Sequence, residues 1–271
     1  ADPPPETPAT PGHWRRVIWR GARIALVIGA GVLATLALRL AERARHGNAR
    51  PWTQAVTVWV CRRVLAILGI AHVVEGVPLQ GPGALVANHV SWLDIFAINA
   101  GARVLFVSKA EVGGWPGIGF LARLTGTVFI TRDPRAARTH AATLRDRLAA
   151  GQRLVLFAEG TSTDGMRLRP FKSALFDGIG ASGPQRGGVP VQPVTLIYEA
   201  PEGADPRLYG WWGDMDFGPH LIRMLGLSRH GRVRVVFHPP LAPGDAGGRK
   251  ALAARAEAMV RAGLPPERRG R

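Results

Sequence analysis

Asn88-His89-Val90-Ser91-Trp92-Leu93-Asp94 carries the side chains best suited to moving a proton. The run Ala84–Ala87 before it predicts a strand, Ser91 is a good N-cap, and Trp92 onward predicts a helix. His89 then falls on a strand-to-helix turn at the carboxyl end of a strand, where open α/β sheets place their sites. Asp94 falls in the first helical turn, where backbone N–H groups and the helix dipole keep a carboxylate ionised. A carboxylate folded back onto one imidazole nitrogen fixes the tautomer and stabilises the imidazolium. The other nitrogen is left to take a proton from a substrate hydroxyl. Ser91-x-x-Asp94 also has the form of a capping box, with His89 free to bond a loop.

Three further stretches offer binding chemistry. Gly126-Thr127-Val128-Phe129-Ile130-Thr131-Arg132 reads as a strand closed by an arginine. The planar guanidinium suits phosphate or carboxylate, or a surface ion pair with Asp133. Phe157-Ala158-Glu159-Gly160-Thr161 ends the strand Arg153–Ala158; glycine there permits close backbone approach, and Glu159 and Thr161 offer polar contacts. Val189-Pro190-Val191-Gln192-Pro193-Val194 reads as a proline-punctuated strand, either a pocket wall or a sheet edge. No Gly-x-Ser-x-Gly nucleophile elbow is present. The remaining histidines lack ligand spacing, and the single cysteine, Cys61, reads as a packing residue, so no metal is expected.

The elements that must position these groups begin near residue 72. Strands are expected at His72–Val77, Ala84–Ala87, Arg103–Ser108, Thr127–Thr131, Arg153–Ala158, Val189–Tyr198 and Val233–Phe237. Helices are expected at Trp92–Ala100, Trp115–Leu124, Arg135–Ala149, Phe171–Ile179 and Arg249–Ala262, with Pro265–Arg271 a frayed tail. This alternation predicts an α/β fold with a mixed, largely buried sheet flanked by helices. Four parts follow: a disordered, proline-rich leader over 1–12, arginine-rich membrane-associated helices over 13–74, a catalytic domain over 75–245, and a C-terminal helix and tail over 246–271.

Charge and apolar character coincide near the start. The chain has 271 residues, 35 basic against 19 acidic, for a net charge of +16. From His13 to Val74 there are ten arginines and one acid, Glu42. Ile24–Leu38 is uncharged and apolar, but fifteen helical residues reach only about 22 Å, short of a bilayer core. Trp52–Ile70 is interrupted by Arg62 and Arg63 and suits an interfacial helix with snorkelling arginines. A helical hairpin in one leaflet is therefore expected ahead of a full span, with two ordinary core helices as the other reading. The surplus charge fits anionic partners, above all a phospholipid surface or an acidic carrier protein. No zinc-finger, RRM-like or P-loop pattern is present to favour nucleic acid.

In order, the four stretches resemble the motifs of the bacterial 1-acylglycerol-3-phosphate acyltransferase family of glycerolipid acyltransferases, across roughly Glu75–Pro240. The resemblance implies O-acyl transfer from an acyl thioester, on acyl carrier protein or coenzyme A, to the free hydroxyl of a lysolipid. No cofactor is bound and no acyl-enzyme forms. His89 is then the general base and Asp94 its orienting partner, and Asn88, Ser91, Arg132, Glu159, Gly160, Thr161 and Lys172 surround the acceptor. The family's site of action is the cytoplasmic face of a bacterial inner membrane. Lysophosphatidic acid is the family's usual acceptor. Two departures bear on it: Ala158 replaces a proline, and Ser162 follows Thr161 where phosphatidic-acid-forming members carry arginine. The run from Glu159 to Gly165, with Leu168-Arg169-Pro170-Phe171-Lys172 and Tyr209–Met215, is similar to lyso-ornithine lipid acyltransferases. A hydrolase that uses water in place of the acceptor would need the same His–Asp pair.

Overall fold

The computed structural model describes residues 11–47, 50–131, 135, 137–176, 188–242 and 247–269. Its seven strands are β1 (Ala71–Gly76), β2 (Gly83–Ala87), β3 (Leu105–Lys109), β4 (Val128–Ile130), β5 (Arg153–Phe157), β6 (Val191–Glu199) and β7 (Arg232–Phe237). Each lies within two residues of its expected bounds. They form one sheet in the order β1-β7-β6-β2-β5-β3-β4, parallel throughout except for the β6/β7 pair.

Seven helices accompany the sheet: α1 (His13–His46), α2 (Thr53–Leu68), α3 (Leu93–Gly101), α4 (Ile118–Thr125), α5 (Ala137–Ala149), α6 (Phe217–Gly226) and α7 (Arg249–Gly263). One apolar cluster joins α2, α3 and α6 to one face of the sheet; a second joins α5 and α7 to the other. Covered on both sides, β2 is buried along its whole length, which explains its unbroken apolar run. Strand β6 is also interior, between β2 and β7, so Pro193 does not mark an edge. Its ladder to β7 opens at Val194, just after Pro193.

The structure corrects the sequence reading in several places. Helix α6 is not among the helices expected from the sequence, and it contains Gly218-Pro219. Pro219 sits in the first turn, where its missing N–H has no intrahelical partner to lose. Within the expected helix Phe171–Ile179, only a 3₁₀ turn at Ser173–Phe176 is described. The tail does not fray at once: Pro266–Arg268 forms a 3₁₀ turn, and buried Arg268 donates to the Tyr198 carbonyl at 2.7 Å. The leader up to residue 10 lies outside the described residues.

The N-terminal helices differ most from expectation. Helix α1 continues through its flanking arginines for 34 residues, about 51 Å, and is long and apolar enough to cross a membrane. Only 11% of its most apolar window is buried. Helix α2 is not free to lie in an interface. Its Cys61, Val64, Leu65 and Leu68 are buried in the core, and each such aliphatic side chain contributes about 1.5–3 kcal/mol. Gly31 of α1 sits so close to Val60 of α2 that a side chain would not fit between them.

The charges that flank the apolar run serve the fold. Arg16 donates to the Gly226 carbonyl at 2.8 Å, and Arg20 to those of Leu225 and Leu227 at 2.9 and 2.6 Å, so α1 caps the C-terminus of α6. Glu42, fully buried, accepts from the Trp52 and Thr53 amides at 2.7 and 3.1 Å and from Thr53 Oγ1 at 2.7 Å. Trp52, the N-cap of α2, makes no side-chain cap bond, and the carboxylate from α1 takes that part.

Candidate active site

Parallel pairing of β2 with β5 places their carboxyl ends side by side, and the loops leaving them meet. His89 follows β2 and Glu159 follows β5. The His89 carbonyl accepts from the Thr163 amide at 2.9 Å and from Thr163 Oγ1 at 3.1 Å, which ties the two loops together.

His89 Nδ1 lies 2.7 Å from Asp94 Oδ2. Helix α3 begins at Leu93, so Asp94 stands in its first turn, with its carboxylate returned over the preceding loop. Oδ2 also accepts from the amides of Val90 and Ser91 at 2.8 and 3.1 Å, and Oδ1 accepts from Tyr198 Oη at 2.8 Å. Four donors therefore surround a side chain with no exposure. With a carboxylate opposite it, Nδ1 carries the ring proton and Nε2 is left as an acceptor. The imidazole stacks on Phe157 at 3.9 Å between centroids and 12° between planes, and 19% of the side chain remains exposed. Among the described residues Nε2 has no protein partner. The pair is oriented, held on one side and open on the other.

The other expected site residues divide into two groups. Asn88 is buried and committed to β6: its Nδ2 donates to the Leu196 carbonyl at 3.0 Å, and its Oδ1 accepts from the Leu196 amide at 2.8 Å. Ser91 is fully buried, and its Oγ has no hydrogen-bond partner among the described residues. Glu159 is 2% exposed, and its oxygens accept from the amides of His89 and Arg169 at 2.7 and 2.8 Å. Burial raises its pKa to about 7, against those two hydrogen bonds, and the nearby Asp94 charge adds to the rise. All three side chains are buried, and those of Asn88 and Glu159 brace the loops from behind.

Gly160, Thr161 and Lys172 lie on the open side. Gly160 has φ +72°, a turn conformation that favours glycine, and the flexible end of Lys172 lies over it. Thr161 is half-buried and Lys172 exposed. Arg132 lies outside the described residues.

Two residues beyond that set complete the constellation. Tyr198 is 2% exposed at the end of β6, and its phenol reaches Asp94 only because β6 pairs with β2. Nothing in its local sequence separates it from any strand tyrosine. Trp211 donates its amide to the Val90 carbonyl at 2.9 Å, bringing an aromatic wall beside the His89 turn. Phe217 is at its centre, with ring centroids 5.4, 6.5 and 6.2 Å from Trp92, Trp115 and Trp211. His220 supports it, accepting from Trp92 Nε1 at 2.9 Å through Nδ1 and donating from Nε2 to the Gly210 carbonyl at 3.0 Å.

Comparison with known proteins gives a consistent result. A family model described as Acyltransferase matches residues 70–197. The chain is 52% identical over 263 residues to a lyso-ornithine lipid O-acyltransferase of Rhodobacter capsulatus, covering 97% of this chain and 95% of that one. It is 37% identical over 268 residues to a lyso-ornithine lipid O-acyltransferase of Brucella abortus, covering 92% and 96%. The crystal structure of the 1-acyl-sn-glycerophosphate acyltransferase PlsC from Thermotoga maritima shares the fold, with a TM-score of 0.62 at 22% identity over 93% of this chain and 95% of that one.

Proposed function

The chain belongs to the acyltransferase family, and from that membership we propose that it transfers an acyl group from a thioester to the hydroxyl of lyso-ornithine lipid. His89 Nε2 takes the hydroxyl proton as the acceptor oxygen attacks the thioester carbonyl. Asp94 stabilises the imidazolium, and the proton then passes to the departing thiolate. No acyl-enzyme is required. The observation that carries this chemistry is the 2.7 Å His89–Asp94 contact, with Nε2 left open.

The acceptor proposed here reverses the order set by the motifs alone, where lysophosphatidic acid came first. Near full-length identity of 52% to a lyso-ornithine lipid O-acyltransferase supports the change, and so does Ser162 in place of a phosphate-binding arginine. Lysophosphatidic acid stays as the second reading because exposed Lys172, over Gly160, offers a cation to a phosphate. Gly160, Thr161 and Lys172 are assigned to the acceptor. Asn88 and Glu159 are assigned to holding the His89 and Glu159 loops in place, and Ser91, through its backbone amide, to holding Asp94. The half-buried aromatic wall suits an acyl chain.

The donor is proposed to be acyl carrier protein, whose acidic surface would complement the net charge of +16, with coenzyme A as the alternative. Helix α1 is proposed to lie in one leaflet at the cytoplasmic face of the inner membrane, with residues 75–245 as the catalytic body. One face of α2 is buried against that body.

Purified protein should release thiol when given acyl donor and lyso-ornithine lipid, at a kcat/KM at least about tenfold above that with lysophosphatidic acid. His89→Ala should lower the rate by about 10²–10⁴-fold or more. Equal use of both acceptors would overturn the acceptor assignment, undiminished turnover by His89→Ala would remove the mechanism, and fatty acid release independent of acceptor would make the protein a hydrolase.

A further inference from the structure

Far from His89, α1, α2 and the segment between α3 and β3 line two adjoining open grooves that none of the acyl-transfer residues line. The smaller, about 340 Å³, is bounded by Ala55, Val58, Trp59, Arg62, Ala102 and Arg103. The larger, about 810 Å³, runs between the helices past Ala30, Ala34, Leu38, Trp52 and Val56. Ala55, Trp59 and Arg103 line both, so the two are continuous. Strand register puts Arg103 seven residues from His89 along the sheet, roughly 23 Å, at the opposite end of the strands.

The chemistry of this space is divided. At one end are two guanidinium groups and no acid. Arg62 is held by its Nε bond to the Ala100 carbonyl at 2.8 Å, and Arg103 by a 3.5 Å bond to the Pro51 carbonyl. Neither has a carboxylate partner among the described residues. At the other end the walls are alanine, leucine, valine and tryptophan. An anionic head and a hydrocarbon tail would each meet its complement, within the size range of ligand pockets. The outer surface of α1 beside the groove exposes Leu26, Leu33, Leu36 and Leu40, the face a bilayer would cover.

We propose that this groove binds one anionic membrane phospholipid, with its phosphate between Arg62 and Arg103 and an acyl chain along the α1/α2 cleft. The site anchors the enzyme to anionic membrane and is separate from acceptor and donor binding. It does not depend on which lysolipid is acylated.

The test uses the full chain in phosphatidylcholine nanodiscs containing a minor fraction of phosphatidylglycerol with a photoactivatable acyl chain. Labelling should map to residues 30–38 and 51–59 and be competed by unlabelled phosphatidylglycerol, but not by added phosphatidylcholine or inorganic phosphate. Arg62→Gln/Arg103→Gln should reduce that labelling about tenfold or more, while Arg43→Gln/Arg45→Gln, which removes the same charge from the exposed end of α1, should leave it unchanged. Arg103→Gln alone and Ala34→Phe, which fills the cleft, give independent readouts if the double variant fails to fold. Equal loss in both double variants, undiminished labelling in Arg62→Gln/Arg103→Gln, or competition by phosphatidylcholine or phosphate would overturn the proposal. Acyl transfer to detergent-dispersed lysolipid, measured on the same samples, reports the active site separately.

Discussion

Tyr198→Phe removes one atom from the constellation and tests how the carboxylate serves the imidazole. Among the described residues the phenol is one of four donors to Asp94, and the only one to Oδ1. Without it, a buried carboxylate oxygen has no partner. A hydrogen bond to a charged group contributes about 1.5–3 kcal/mol, which would be about 10- to 150-fold in rate if it were felt wholly in the transition state. The Val90 and Ser91 amides still hold Oδ2 in register, so the lower end is expected: kcat down about tenfold, KM little changed. Tyr209→Phe is the control. Tyr209 packs on Tyr198 with centroids 5.3 Å apart and accepts from the Gly231 amide at 2.7 Å, without touching Asp94. Thiol release at saturating donor, together with thermal melting, should show both variants destabilised and only Tyr198→Phe slowed. Full turnover in Tyr198→Phe, or an equal fall in Tyr209→Phe, would refute the argument that the Oδ1 hydrogen bond supports catalysis.

Glu42→Ala should weaken the junction of α1 and α2, because the start of α2 loses its cap and a buried acceptor of three bonds. A loss of about 2–4 kcal/mol is expected in denaturant unfolding, with faster amide exchange at Trp52 and Thr53. Stability should also depend on pH with a definite sign. Burial, with the Arg223 charge, lowers His220 to about 4, and burial with the Arg20 charge lowers His230 to about 4, while Glu159 is raised to about 7. Between about pH 4.5 and 6.5 the unfolded chain holds two extra histidine protons and the folded chain one extra glutamate proton. These three groups make stability rise with pH across that window by about 1.4 kcal/mol per unit, and burial of His72 and His238, which lowers both, adds to the rise. Removing one histidine with His220→Asn should flatten the slope, and Glu159→Gln should steepen it. Urea midpoints measured across the window check both, and a slope unchanged by either substitution would contradict the assignment.

All seven strands were legible in the sequence, because β-branched runs bounded by glycine, proline and polar residues have a local signature. The chemistry of His89 and Asp94 was equally local: five residues and one helix start suffice to bring the two together. What the sequence could not separate was substrate contact from support. Asn88 and Glu159 are chemically able to bind an acceptor, and only the pairing of β2 with β5 and β6 turns them inward against backbone partners; Ser91 is buried with them, its Oγ without a partner among the described residues. Tyr198 joins Asp94 by the same pairing, across 104 residues of chain. The arginines around the apolar N-terminal run looked like membrane flanks, yet two of them cap α6, some 200 residues away, and Glu42 caps the neighbouring α2, contacts that exist only once the helices have packed. Local propensity and spacing chose the elements and brought His89 and Asp94 together. Tertiary packing decided which polar groups were used up in the interior and which were left facing open space, because a buried donor or acceptor must be satisfied by whatever the fold brings within about 3 Å.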